Sequence, residues 1–69
     1  MRVVVNGEDR VLQAGATVAD VVRSLDLAAE ARGVAVALDG EVVIRGRWPS
    51  TILSDGARVE VLGAIGGGR

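Results

Sequence analysis

The chain of 69 residues contains no cysteine, histidine, lysine, phenylalanine or tyrosine. Each absence removes a possibility. Without cysteine there is no disulfide, and without cysteine or histidine no Cys/His metal set, so the usual staples of a small domain are missing. Side-chain catalysis is left to carboxylates, serine and threonine, because the residues that most often serve as nucleophile or proton shuttle are not there. No side-chain amine exists to which another copy could be joined through an acyl bond. No apolar run approaches the roughly 20 residues of a membrane span, and "MRVVVNGED" lacks the apolar run and cleavage site of a signal peptide. The cytoplasm is therefore the expected location, with no membrane as partner. A net charge of −1, spread in alternating sign along the chain, lacks the basic footprint of a nucleic-acid binder.

What is present is aliphatic: 49% of the residues are hydrophobic, dominated by valine, leucine, isoleucine and alanine, with one tryptophan. Such a core is β-branched and sheet-prone. The length implies one domain, near the lower limit for a chain that folds alone.

The apolar pattern changes period along the chain. "RVVV" and "RVLQ" flank Asn6-Gly7, a dipeptide suited to a tight hairpin, which predicts strands at 2–5 and 10–13. In "ATVADVVRSLDL" the period becomes about 3.6, with Val18, Val21, Val22 and Leu25 on one stripe. Thr17 and Asp20 form a T-x-x-D capping box at the start of a helix expected from about Val18 to Leu27, fraying through Ala28-Ala29-Glu30. Gly33 is suited to end the following turn. "VAVAL" at 34–38 is apolar on both faces and predicts a central strand. Asp39-Gly40 predicts a second hairpin turn, and "EVVIR" at 41–45 the returning strand. "GRWPST" predicts a short loop or 3₁₀ turn, with Trp48 covering an open end of the core. "SDGARVEVL" ends the pattern with a turn at Asp55-Gly56 and a strand in which Val59 and Val61 alternate with Arg58 and Glu60.

Hairpin, helix, central strand, edge strand and last strand suit an α+β architecture of the β-grasp kind, with one main helix across a mixed four- to five-stranded sheet. A small α+β sandwich of other topology fits the same pattern. The domain is expected at 1–62, followed by a flexible glycine-rich tail at 63–69.

Asp9, Asp20, Asp26, Asp39 and Asp55 all fall at predicted turns, caps or helix ends, where aspartate has local work. No phosphate loop is indicated, because no helix follows "GAIGGG". An enzyme with its own active site is thus not expected, and no catalytic residue is assigned. The remaining reactive group is a terminal carboxylate, which another enzyme can activate as an acyl-adenylate. Glycine suits that chemistry: without Cβ it threads a narrow channel and leaves the carbonyl open to attack. Ordering such a tail costs about 1–2 kcal/mol per residue, so neighbouring apolar anchors, Ile65 and the outward Leu62, are candidates for docking it. The ordinary alternative is that "GGG" is a flexible end or a cloning remnant.

"VVVNGE", "TVADVV", "VAVALDGEVVIRGRW" and "DGARVEVLGAIGGG" together resemble the ThiS-type sulfur carriers of thiamine biosynthesis, which are ubiquitin-like β-grasp proteins. The resemblance covers essentially the whole chain, and Arg45, three residues ahead of Trp48, is more like this family than its molybdopterin relatives. It implies a protein cosubstrate rather than an enzyme. An E1-like adenylyltransferase would use ATP to adenylate the terminal glycine, which is converted to a thiocarboxylate that gives sulfur to a thiazole synthase. A cysteine desulfurase or other sulfur donor would complete the partners, and no cofactor or metal is held by the carrier. The family's terminal Gly-Gly falls on Gly67-Gly68, with Ile65 and Gly66 as the neck and Gly68 as the acyl-bearing residue. Arg69 departs from the pattern, so Gly68 would act after its loss; proteolytic trimming, an origin in cloning, or a non-functional copy are the three readings. The tail leaves open a molybdopterin-type or other sulfur carrier, or a β-grasp interaction module without acyl chemistry. Trp48 is expected as a core lid and Arg45 as a partly exposed strand-end charge.

Overall fold

The computed structural model describes residues 1–25 and 33–63. β1 (Arg2–Val5) and β2 (Glu8–Val11) form the first hairpin, closed by Asn6 and Gly7, both at positive φ. That is the backbone a two-residue turn requires, and Asn and Gly tolerate it best. The turn puts Glu8 directly opposite Val5, so β2 starts two residues earlier than the expected 10–13. Asp9 accordingly lies in the strand rather than at a turn. Pairing still reaches past Val11, where Leu12 accepts from the Met1 ammonium at 3.0 Å and donates to the Met1 carbonyl at 2.8 Å.

α1 (Val18–Ser24) opens on the expected capping box. The Asp20 amide donates to Thr17 Oγ1 at 3.3 Å, and the Thr17 amide donates to Asp20 Oδ2 at 2.9 Å. Leu25 is the C-cap, so the helix is shorter than the expected run to Leu27, and the expected fraying at 28–30 lies outside the described residues. The start of α1 is also tied from outside: Val18 donates to the Thr51 carbonyl and Leu53 to the Ala16 carbonyl.

β3 (Val34–Leu38) and β4 (Glu41–Val43) form the second hairpin around Asp39 and Gly40, again both at positive φ. β4 stops short of the expected Arg45 because the chain coils into a 3₁₀ helix at Arg45–Ser50, where the Arg47 amide donates to the Ile44 carbonyl. β5 (Arg58–Gly63) follows the turn at Asp55-Gly56, with Val59 and Val61 buried and their neighbours exposed.

The five strands form one mixed sheet in the order β2-β1-β5-β3-β4. β1 and β5 run parallel, and every other pair is antiparallel. β3, the apolar run at 34–38, is an interior strand as expected, paired with β5 on one side and the edge strand β4 on the other, while β5 holds the middle place. In β3 only Val36 is buried and Ala35 is exposed, so its outer face is open. An alanine-rich strand satisfies the apolar pattern without needing a cover on both sides.

One face of the sheet carries Val3, Val5, Val36, Val59 and Val61, and α1 lays Val18, Ala19, Val21 and Val22 against it. Among the described residues, every large side chain with less than 2% exposure is valine. Valine has little rotamer freedom to lose, which helps a core this small offset the entropy of folding. Trp48 closes one end at 3% exposure, as a lid, with its Nε1 donating to the Val43 carbonyl at 2.8 Å.

Candidate functional site

The site begins where β5 ends. Alternation along β5 turns Val59 and Val61 to the helix side and Arg58, Glu60 and Leu62 to the outer face. Leu62 is 71% exposed beside Ala35 of β3. Across β3, Ala37 pairs with Val42, which is 76% exposed, and Ile44, two residues further on in extended backbone, is 66% exposed. Leu62, Val42 and Ile44 therefore share a face whose floor is the two alanines of β3, bordered on β5 by the charges of Glu60 and Arg58. Exposed apolar residues grouped on one sheet face are a feature of contact surfaces, unlike the same residues scattered singly.

Of the expected docking and acyl-bearing residues, the described structure contains Leu62, at the outward position assigned to it. Ile65, Gly66, Gly67 and Gly68 lie outside the described residues, as does Arg69. Gly63, the first residue of the expected tail, is still part of β5, opposite Val34. Val42 and Ile44 were not singled out in the sequence, although their i, i+2 spacing within "EVVIR" is a strand signal; only the register against β3 shows which face they take.

Three of the aspartates are engaged in the scaffold, Asp20 by neighbours in sequence and Asp39 and Asp55 by residues 19 and 53 positions away. Asp20 caps α1 and pairs with Arg23, Asp39 Oδ1 accepts from the Arg58 amide, and Asp55 Oδ1 accepts from the Arg2 amide. The Thr17 amide holds the Asp20 carboxyl below its ordinary value, with smaller contributions from the Thr17 hydroxyl and Arg23. Asp26 lies outside the described residues. Among the described residues no acidic side chains gather into a metal-ligand set.

On the helix side, α1 and the 3₁₀ helix enclose an open groove of about 430 Å³ lined by Thr17, Ala19, Asp20, Arg23, Arg45, Trp48 and Pro49. Arg45 is exposed, as expected, but it opens the 3₁₀ helix rather than ending β4, and its guanidinium lies 5.0 Å from the centre of the Trp48 ring. Stacking of this kind anchors the start of the 3₁₀ segment over the lid.

A helix across one face of a mixed sheet, with the first and last strands parallel side by side, defines a ubiquitin-like β-grasp protein. The model of the ThiS family matches residues 3–68, and the chain belongs to that family. Among solved structures, it is similar to the crystal structure of the thiamine biosynthesis protein ThiS from Geobacter metallireducens. The two are 34% identical with a TM-score of 0.77, over 99% of this chain and 100% of that one. The solution structure of a thiamine biosynthesis protein from the same organism matches at 34% identity and TM-score 0.77, over 100% of this chain and 90% of that one. Nothing among curated proteins matches the chain.

Proposed function

We propose that the chain is a sulfur carrier of thiamine biosynthesis, acting in the cytoplasm as a protein cosubstrate, with 63–69 as its working tail. An E1-like adenylyltransferase joins the Gly68 carboxylate to AMP from ATP, releasing pyrophosphate. Sulfide delivered by a sulfur donor then attacks the acyl carbon and AMP leaves, giving a thiocarboxylate that supplies a thiazole synthase. ATP belongs to the activating partner. The carrier contributes an open glycine carbonyl and a docking surface.

The observation that carries this reading is the position of Leu62. The residue that leads into "GAIGGG" presents its side chain outward, on the same face as Val42 and Ile44. A partner covering that face holds the domain while Gly66 and Gly67 enter its channel, and burying a leucine or isoleucine there returns about 1.5–3 kcal/mol per side chain toward ordering the tail. The acyl chemistry needs Gly68 as terminus, so Arg69 must be absent from the reacting form.

The test uses a chain ending at Gly68, incubated with the cognate activating enzyme, ATP and a sulfur source. The intact mass is expected to rise by one sulfur-for-oxygen exchange, located at Gly68 by fragmentation. An unchanged mass in the presence of a demonstrably active enzyme would overturn the proposal. Capture of the thiocarboxylate form by a thiazole synthase rather than a molybdopterin synthase assigns the product.

A further inference from the structure

Asn6 does more than turn the first hairpin. β1 runs parallel to β5 through Val4 opposite Arg58 and Val5 opposite Val59, then ends as the chain reverses at Asn6 and Gly7. The Asn6 amide donates to the Val59 carbonyl at 2.9 Å. Had β1 continued, its next carbonyl would have faced the Val61 amide. The chain has already turned away, and the Asn6 side-chain oxygen takes that place, accepting from the Val61 amide at 2.8 Å. Thus a side chain carries the parallel ladder one step beyond the strand it belongs to.

The step falls at a particular place. Up to Val61, β5 is held on both sides, by β1 with Asn6 and by β3. Leu62 and Gly63 pair with Ala35 and Val34 on the β3 side. Among the described residues, Val61 is therefore where the two-sided grip on the last strand ends, one residue before the outward Leu62.

Resting on the carrier reading above, we infer that Asn6 is a positioning residue for the acyl terminus: by clamping Val61 it fixes the direction in which the last residues of β5, Leu62 and Gly63, run toward the partner's channel. Residue 6 must meet two demands together. It has to adopt φ of +52°, which favours Asn, Asp or Gly, and it has to offer an acceptor at this reach, which excludes Gly. Asn and Asp meet both. Without the clamp, the strand end explores more directions, and docking must supply the ordering that the free carrier no longer provides.

The experiment uses the chain ending at Gly68, with Asn6→Asp, Asn6→Gly and the core variant Val18→Ala. Two quantities are read: amide hydrogen exchange at Val61, and pyrophosphate exchange by the cognate activating enzyme as the carrier concentration is varied. Asn6→Gly keeps the turn and deletes the acceptor, so Val61 is expected to exchange about fivefold or more faster, the worth of one hydrogen bond. The KM for the carrier is expected to rise about 5- to 30-fold, the cost of ordering one residue, with kcat within about twofold. Asn6→Asp restores both values, and Val18→Ala loses stability while keeping KM. An unchanged KM in Asn6→Gly despite faster Val61 exchange overturns the positioning role, and so does a KM in Val18→Ala raised as far as in Asn6→Gly. Unchanged Val61 exchange in Asn6→Gly overturns the clamp. If the parent chain itself supports no pyrophosphate exchange with an active enzyme, the carrier reading fails and takes the role of Asn6 with it, an outcome distinct from failure of the variant alone.

Discussion

Asp39 and Arg58 exchange two hydrogen bonds across the end of the sheet. The Asp39 amide donates to the Arg58 carbonyl at 2.8 Å, and Asp39 Oδ1 accepts from the Arg58 amide at 2.9 Å. One residue thereby holds the β3–β4 turn, at φ of +50°, and fixes the start of β5. Asp39→Ala loses the side-chain acceptor and puts a Cβ residue without turn chemistry at positive φ. It is expected to cost about 2–4 kcal/mol in urea unfolding, while Asp39→Asn, which keeps an acceptor and tolerates the backbone, costs under about 1 kcal/mol. Equal losses in the two variants would show that the bond is not what matters.

Trp48 is the only aromatic residue, and its loss should be correspondingly severe. Trp48→Ala is expected to cost about 3–5 kcal/mol, comparable with the whole stability of a domain this size, leaving a chain without cooperative thermal unfolding by circular dichroism. Trp48→Phe keeps most of the volume but leaves the Val43 carbonyl without its indole partner, and should melt cooperatively with a loss of about 1–3 kcal/mol.

The outward apolar residues should separate stability from binding. Leu62→Asp lies on an open sheet face, so unfolding free energy is expected to change by less than about 1 kcal/mol. Affinity for the activating enzyme, read by titration calorimetry, should fall at least tenfold, about 1.4 kcal/mol. Ile44→Asp is expected to behave alike. Undiminished affinity in both would remove this face from the docking surface.

Acid should weaken the start of α1. The Asp20 carboxyl has a lower pKa folded than unfolded, chiefly through the Thr17 amide. Its stabilising contribution is therefore complete above the ordinary aspartate value near ~3.9 and is lost as pH falls through the lower folded value. Asp20→Asn should be less stable than the parent at neutral pH, with the gap closing on acidification. A gap that stays constant in urea midpoints down to the acid limb would contradict the assignment.

How far the structure could be read from the residues depended on how far apart the partners lie. The Asn6-Gly7 turn, the Thr17–Asp20 box and the alternation of Val59 and Val61 are each set by neighbours in sequence, and all three are found as expected. The start of β2 was misplaced because the run "RVL" outweighs "ED" in apolar pattern, whereas the turn geometry alone decides that Glu8 faces Val5. The central place of β5 is written in no local pattern, since its alternation is the same as an edge strand's. The role of Asn6 was hidden for the same reason: its partner is 55 residues away, and only the parallel pairing of β1 with β5 brings the two together. Of the site itself, Leu62 was legible from alternation, while Val42 and Ile44 needed the register.

The topology also has a consequence for synthesis. β5 joins the two hairpins, pairing with β1 on one side and β3 on the other, so a nascent chain that has not yet emitted Arg58 has two separate ribbons and no sheet. Such long-range pairing makes folding wait on loop closure. The complete sheet is consequently withheld until β5, the last strand to be made, is free to pair on both sides, so a chain truncated before Arg58 has no means of joining its two hairpins.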